Sequence, residues 1–294
     1  MIPDEQLDFE ACVSSGQVFR FRLEDGVWRG VDGGNLIEAL RVPGGWDVSS
    51  SPDDGAWRRF LQIDQDLPVI QERLIEAEPR MAPLVERMPG LRTLRPQLAV
   101  ETLFSFLCTP NNHMSRIVRM TGYLASKGEE LAEGHFRFPS LRRISDFEES
   151  ELRGNGFGYR AATIPRVAQQ VVAQGGEAWL AGLRARTYEE ARSELMGLQS
   201  VGPKLADCVC LFGLHFDAAV PIDTHVWKAC QEWYLRESPS HGLTPQKYEA
   251  ARRCFGERFG ILAGWAQQYV FYDRFLSYRR TKADIRNKDG SRNA

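Results

Sequence analysis

The chain has 294 residues, 43% of them hydrophobic and 26% charged, an ordinary globular composition with length for one large domain or two smaller ones. No apolar run approaches the roughly 18 residues a membrane helix needs, and the acidic start MIPDEQLDFEACVSS lacks the basic and apolar regions of a secretion signal. The formal net charge of −2 advertises no polyanion partner, yet it excludes none, because one basic face on a near-neutral protein is enough.

The first fifty residues read as short strands. VFRFRL (18–23), VWRGV (27–31) and NLIEAL (35–40) are separated by Glu24-Asp25-Gly26 and Asp32-Gly33-Gly34, both good turn sequences. GGWDVSSSPDDG (44–55) breaks that pattern. From Trp57 the spacing turns helical, in WRRFLQI and then VIQERLIEAE. After Pro96, VETLFSFLC (100–108) is apolar nearly all round, as a buried helix would be. The remainder reads as helices with short Gly- and Pro-marked connections, ending in the polar, basic RRTKADIRNKDGSRNA.

The six cysteines (Cys12, Cys108, Cys208, Cys210, Cys230, Cys254) carry no two-residue gap of the zinc or redox type and no iron–sulfur spacing, so they read as structural thiols.

LMGLQSVGPKLADCVCLFGL (195–214) is the most informative segment. A helix ending at Leu198 meets the turn Gln199-Ser200-Val201-Gly202, and a second helix opens on Pro203, whose missing N–H would be unpaired at that position anyway. Such a helix–hairpin–helix turns backbone N–H groups and a positive helix end outward, which suits a DNA phosphate; a hairpin without a ligand is the alternative. Lys204 stands in the first turn of the second helix, where the dipole disfavours a cation. It is either a solvated surface lysine or an amine kept available as a nucleophile. In AVPIDTHVWKAC (219–230), Asp223 follows an apolar run and precedes a helix, so it is placed as an N-cap and, rigidly aimed, as a partner for Lys204.

With these residues the sequence resembles the helix–hairpin–helix (HhH-GPD) DNA glycosylases, and within them the 8-oxoguanine DNA glycosylases. The similarity runs through SSGQVFRF, FLQID (60–64), LFSFLCTPNNHMSRI (103–117), FGYRA (157–161), VGPKLADCVCL (201–211), VPIDTHVW (220–227) and AGWAQQYVF (263–271), in order along the chain.

The resemblance implies an α+β fold, with a small TBP-like antiparallel sheet domain and flanking helices over residues 1–90. A helical catalytic domain over 91–280 and a disordered basic tail over 281–294 follow. It implies that Lys204 attacks the sugar C1′, displaces the base and forms a Schiff base that undergoes β-elimination, while Asp223 activates the lysine and stabilises charge growing on the sugar. The base must leave the duplex to be reached. By resemblance the Gly16 carbonyl accepts the N7–H that oxidation creates, Gln267 reads the Watson–Crick edge, and Phe271 and Cys208 sandwich the ring. Without the family, Gly16 would be an ordinary turn glycine, and Phe271 and Cys208 core residues.

On the opposite strand, Asn111, Arg116 and Arg160 match residues that contact the orphaned cytosine, and Tyr159 the wedge beside it. Val201, Gly202 and His225 match phosphate contacts. No cofactor is required, though a monovalent or divalent cation at the hairpin turn is compatible with the pattern. The implied partner is double-stranded DNA containing 8-oxoguanine, and the implied state a monomer without a membrane. The implied location is the cytoplasm and nucleoid of a prokaryote or the nucleus of a eukaryote.

Three positions depart from the family. Ser200 stands where glycine is usual, so a positive φ there would strain it and alter the phosphate- and cation-binding turn. Pro110 replaces a small polar residue, and Phe21 sits where tryptophan is common. An alkylated-base glycosylase shares the fold and the aspartate, but Lys204 and the Gly16–Gln267 pair argue against it. A non-catalytic hairpin that clamps DNA would explain VGPK but not a pocket set drawn from both ends of the chain.

Overall fold

The computed structural model describes residues 1–235 and 242–290. Its N-terminal part is a five-stranded antiparallel sheet in the order β1-β5-β4-β3-β2. The strands are β1 (Ile2–Pro3), β2 (Arg22–Glu24), β3 (Val27–Asp32), β4 (Asn35–Val42) and β5 (Gly45–Ser51). Glu24 pairs with Val27 across a two-residue turn in which Asp25 and Gly26 have φ of 50° and 80°. Two positive φ values in succession give the twist a tight hairpin needs.

Two expectations along the sheet are corrected. Residues 45–51 form a strand where the serines suggested a break: Trp46, Val48 and Ser50 are buried and Asp47, Ser49 and Ser51 exposed. The period of two was present, but a buried serine disguised it. Conversely, residues 18–21 are irregular, because Phe19 meets Phe106 of the helical half edge to face, while Phe21 packs on Phe9 and Phe60. A strand could not serve those two surfaces in register.

The helices of the N-terminal part are α1 (Phe9–Ser14), α2 (Ala56–Leu61), α3 (Leu67–Ala77) and α4 (Ala82–Arg87). Then come α5 (Ala99–Leu107), with all but Glu101 buried, and α6 (Met114–Ala125). A small hairpin of β6 (Glu130–Ala132) and β7 (His135–Phe136), not anticipated from the sequence, precedes α7 (Leu141–Ser145) and α8 (Glu149–Gly154). α9 (Arg160–Ala173), α10 (Gly176–Gly182), α11 (Tyr188–Met196) and α12 (Pro203–Cys208) complete the middle of the chain, and a π turn over Val209–Gly213 extends α12. The last three are α13 (Thr224–Cys230), α14 (Pro245–Phe259) and α15 (Ala263–Gly290). The sheet followed by helices is the α+β architecture expected.

α15 runs past the boundary expected at residue 280 and ends at Gly290. Extending an existing helix adds one hydrogen bond per residue fixed, so residues 281–290 continue as helix despite their polarity. The tail's last residues, 291–294, lie outside the described residues.

Two hydrophobic cores result, and they divide the chain differently from a cut at residue 90. One joins the sheet and α1–α4 (Phe9, Ile37, Phe60, Leu74) to the end of the chain (Ile222, Trp227, Trp265, Tyr269). The other is built from α5–α12, among them Leu103, Phe157, Val167, Leu195 and Val209. The chain thus leaves the first core near Leu94 and returns to it at Val220.

Candidate active site

A cleft of about 630 Å³ lies between the two cores. Thr109–Asn112, Ser200 and Gly202–Leu205 line it from one side, Ile222–His225, Leu243–Pro245 and Tyr248 from the other. Lys204 and Asp223, nineteen residues apart in the chain, meet there because each stands at the start of a helix at the cleft edge.

Lys204 follows Pro203 at the start of α12, whose N-cap is Gly202 in extended backbone with no side-chain cap. Its Nζ lies 5.2 Å from the centre of the Phe106 ring, and Cys208 follows one turn along the helix. Burial pushes the Cys208 thiol up to about 11, and the Lys204 charge beside it opposes that rise.

Asp223 is the N-cap of α13: its Oδ1 accepts from the His225 N–H at 2.9 Å and the Val226 N–H at 2.8 Å. One oxygen does all of the capping. The hairpin turn leading to α12 holds Ser200 at φ 63°, the left-handed region that serine enters at a cost of about 1 kcal/mol or more. The Val201 side chain is buried in the second core and its N–H bonds the Leu198 carbonyl, while Gly202 is exposed.

The remaining expected residues form two groups. Gly16, Phe271 and Gln267 do not line the cleft; Gly16 lies against Phe271, whose ring meets His225, which does. Gly16 has φ 76°, and a Cβ there would lie 3.4 Å from the Phe271 ring and 3.8 Å from Met114 Cε, so a side chain would enter the space over that ring. The Phe271 ring meets His225 edge to face at 6.0 Å and stacks on Phe275 at 5.9 Å. Gln267 is 4% exposed, and its Oε1 is buried without a partner among the described residues.

Sequence reasoning missed the side chains that fix this group. Gln268 donates to the Ser15 carbonyl at 3.1 Å, tying the Gly16 turn to α15. Gln17 donates to the Arg92 carbonyl at 2.9 Å and accepts from the Leu94 N–H at 2.8 Å. Buried amides with full hydrogen bonding are visible only once their partners are placed.

The second group surrounds the turn after α5. Asn111 is exposed at φ 49°, a conformation asparagine tolerates, and Asn112 donates to the Cys108 carbonyl at 2.9 Å, closing the helix end. Arg160 is 3% exposed, donates to the Pro110 carbonyl, and lies 4.5 Å from the Tyr159 ring centre; its Nε is buried without a partner among the described residues. Tyr159 is 57% exposed. Arg116 bonds the Gly156 carbonyl at 2.6 Å. Tyr159, Arg160 and Asn111 are therefore together, with Arg116 on the Gly156–Gly158 loop beside them.

Among the described residues, no His/Cys/Asp/Glu cluster could hold a metal ion. The six cysteines are free thiols, five of them buried.

Known proteins share this chain's sequence and fold. The N-glycosylase/DNA lyase OGG1 of Arabidopsis thaliana is 34% identical over 281 residues, covering 90% of this chain and 77% of the relative. The N-glycosylase/DNA lyase of Saccharomyces cerevisiae is 35% identical over 212 residues, covering 62% of this chain and 56% of that protein. The fold matches the Clostridium acetobutylicum 8-oxoguanine glycosylase/lyase, solved with double-stranded DNA containing cytosine opposite 8-oxoguanine. That match has a TM-score of 0.81 and 24% identity, and covers 92% of this chain and 93% of that one. Residues 104–253, from α5 into α14, match the HhH-GPD superfamily of base excision DNA repair proteins, and the chain belongs to that superfamily.

Proposed function

We propose that this protein excises 8-oxoguanine paired with cytosine in duplex DNA and then nicks the strand, with Lys204 as nucleophile and Asp223 as its charged partner. The observation that carries the reading is the convergence of an amine on the first turn of one helix and a carboxylate at the N-cap of another, in one cleft between the cores. A glycosylase of this fold that activates water has no need of that amine.

The Lys204 amine, in its neutral form, attacks C1′ of the extruded nucleoside. The glycosidic bond breaks and its electron pair leaves with the base, which takes up a proton. Asp223 opposes the positive charge that grows on the sugar during this step. The nitrogen lone pair then opens the sugar ring to a protonated Schiff base. Loss of a C2′ proton expels the 3′ phosphate, and hydrolysis returns the lysine. Both steps use an amine, a carboxylate and water, so neither calls for a cofactor.

The Gly16 carbonyl is suited to accept the N7–H that distinguishes 8-oxoguanine from guanine, and the unpartnered Gln267 Oε1 to take a donor on the base's Watson–Crick edge. Phe271 would flank the ring, with Cys208 opposite. Arg160, Arg116 and Asn111 supply the donors for an unpaired cytosine, and the exposed Tyr159 the wedge. The uncapped start of α12 and His225 are suited to phosphates.

Borohydride reduction of the Schiff base is the test. Wild-type protein should become covalently linked to an 8-oxoguanine:cytosine duplex, and Lys204→Gln should lose the link while binding that duplex within about threefold of wild type. Trapping of the variant at wild-type yield removes Lys204 as nucleophile.

A further inference from the structure

Asp207 lies on α12 between Lys204 and Cys208 and is fully buried, with Arg192 Nε at 2.8 Å and the Tyr188 hydroxyl at 2.6 Å, both on its Oδ1. Its other oxygen accepts from the Tyr248 hydroxyl. That same hydroxyl accepts from the Ile222 N–H at 3.3 Å, immediately before Asp223. Tyr248 is 4% exposed and belongs to α14, in the core opposite to that of α12. The neighbouring Glu249 bonds Arg192 and Arg252, and Arg252 also bonds Glu189, so α14 is tied to α11 beside the same junction.

We infer that Tyr248 is a positioning residue for the proposed excision: its hydroxyl, bonded at once to the Lys204 helix and to the backbone preceding Asp223, sets the separation of nucleophile and carboxylate across the two cores. Lys204 and Asp223 come from different cores, and neither is bonded to the other's element by its own side chain among the described residues. A single hydroxyl joins those elements through donor and acceptor together, so it fixes geometry that either helix start alone leaves free. Burial raises Asp207 to about 6, and Arg192, Tyr188 and Tyr248 each oppose that rise, in keeping with a carboxylate held charged to accept these bonds.

The inference rests on the proposed function, and one experiment separates the two. Single-turnover excision from an 8-oxoguanine:cytosine duplex, at saturating enzyme, is compared for wild type, Tyr248→Phe and Tyr188→Phe, alongside duplex affinity. Tyr188→Phe also removes one hydroxyl from Asp207 but has no bond to the Asp223 segment. Tyr248→Phe should lower the rate constant about tenfold or more with affinity unchanged, and Tyr188→Phe should stay within about threefold of wild type. With enzyme in excess, loss of folded protein alone would leave the saturated rate constant in place. Equal slowing by both variants, or no slowing by Tyr248→Phe, overturns the inference and leaves the function standing. A wild-type protein that excises nothing overturns both.

Discussion

At the scale of single residues, Asp223 caps α13 with one oxygen and leaves the other for the proposed chemistry. Oδ1 takes both capping bonds, and Oδ2 makes no hydrogen bond among the described residues. Asp223→Asn keeps an acceptor for the cap, so α13 should be retained, with a thermal midpoint within about 2 °C of wild type. The charge is lost, and single-turnover excision should slow by about a hundredfold, as when other preorganised electrostatic groups are removed. Unchanged excision with a lowered midpoint would make Asp223 a cap and nothing more. The pair Lys204 and Asp223 was legible in the sequence because both stand at helix starts marked by Pro203 and by an apolar run. Tyr248 and Asp207 were not, since a tyrosine inside an amphipathic helix shows no sign of what its hydroxyl meets.

Among elements, the turn between β3 and β4 docks on the chain that enters the second core. Asp32 Oδ1 accepts from the Gln97 N–H at 2.8 Å, and the carboxyl is buried. Burial raises its pKa from 3.8 to about 7, with the Gln97 bond and Arg20 opposing the rise. A carboxyl raised on folding contributes stability that is fully present below the unfolded value and lost as pH rises through the folded one. Asp32→Asn removes the charge while keeping an acceptor. It should raise stability by on the order of 1–3 kcal/mol near pH 8, with the two proteins converging as pH falls to about 4. Urea midpoints across that range check this, and a constant difference at every pH would remove buried charge as the cause. The hairpin turn shows the opposite relation, since Ser200 keeps φ 63° despite the strain. The flanking helices α11 and α12, both packed in the second core, hold the turn there.

For the whole molecule, the first core is closed by the end of the chain. Trp227, Trp265 and Tyr269 pack with Phe9, Phe60 and Leu74, and the Tyr269 hydroxyl donates to the Leu91 carbonyl at 2.9 Å. Arg95 bonds Asp217 at 2.6 Å where the chain passes between the cores. A fragment of residues 91–294 would therefore expose the inner faces of α13, α14 and α15. It should fail to unfold cooperatively and should show no excision, whereas the full chain should melt in one transition. A fragment that melts cooperatively and retains excision would show that the helical part folds by itself.

Sequence by itself determined the order of a sheet followed by helices, the hairpin with Lys204 at its second helix and Asp223 as a cap. These follow from local rules of period, turn chemistry and helix ends, which act within a few residues. Tertiary structure decided which strand Ser50 hides in, where Phe19 and Phe21 point, how the cores divide the chain, and that Gly16 lies against Phe271 some 250 residues away. Those outcomes depend on burial and on hydrogen bonds between distant segments. A buried serine, an amide such as Gln268 or a hydroxyl such as Tyr248 has its partner chosen by the packing of whole elements, and no local pattern records that choice.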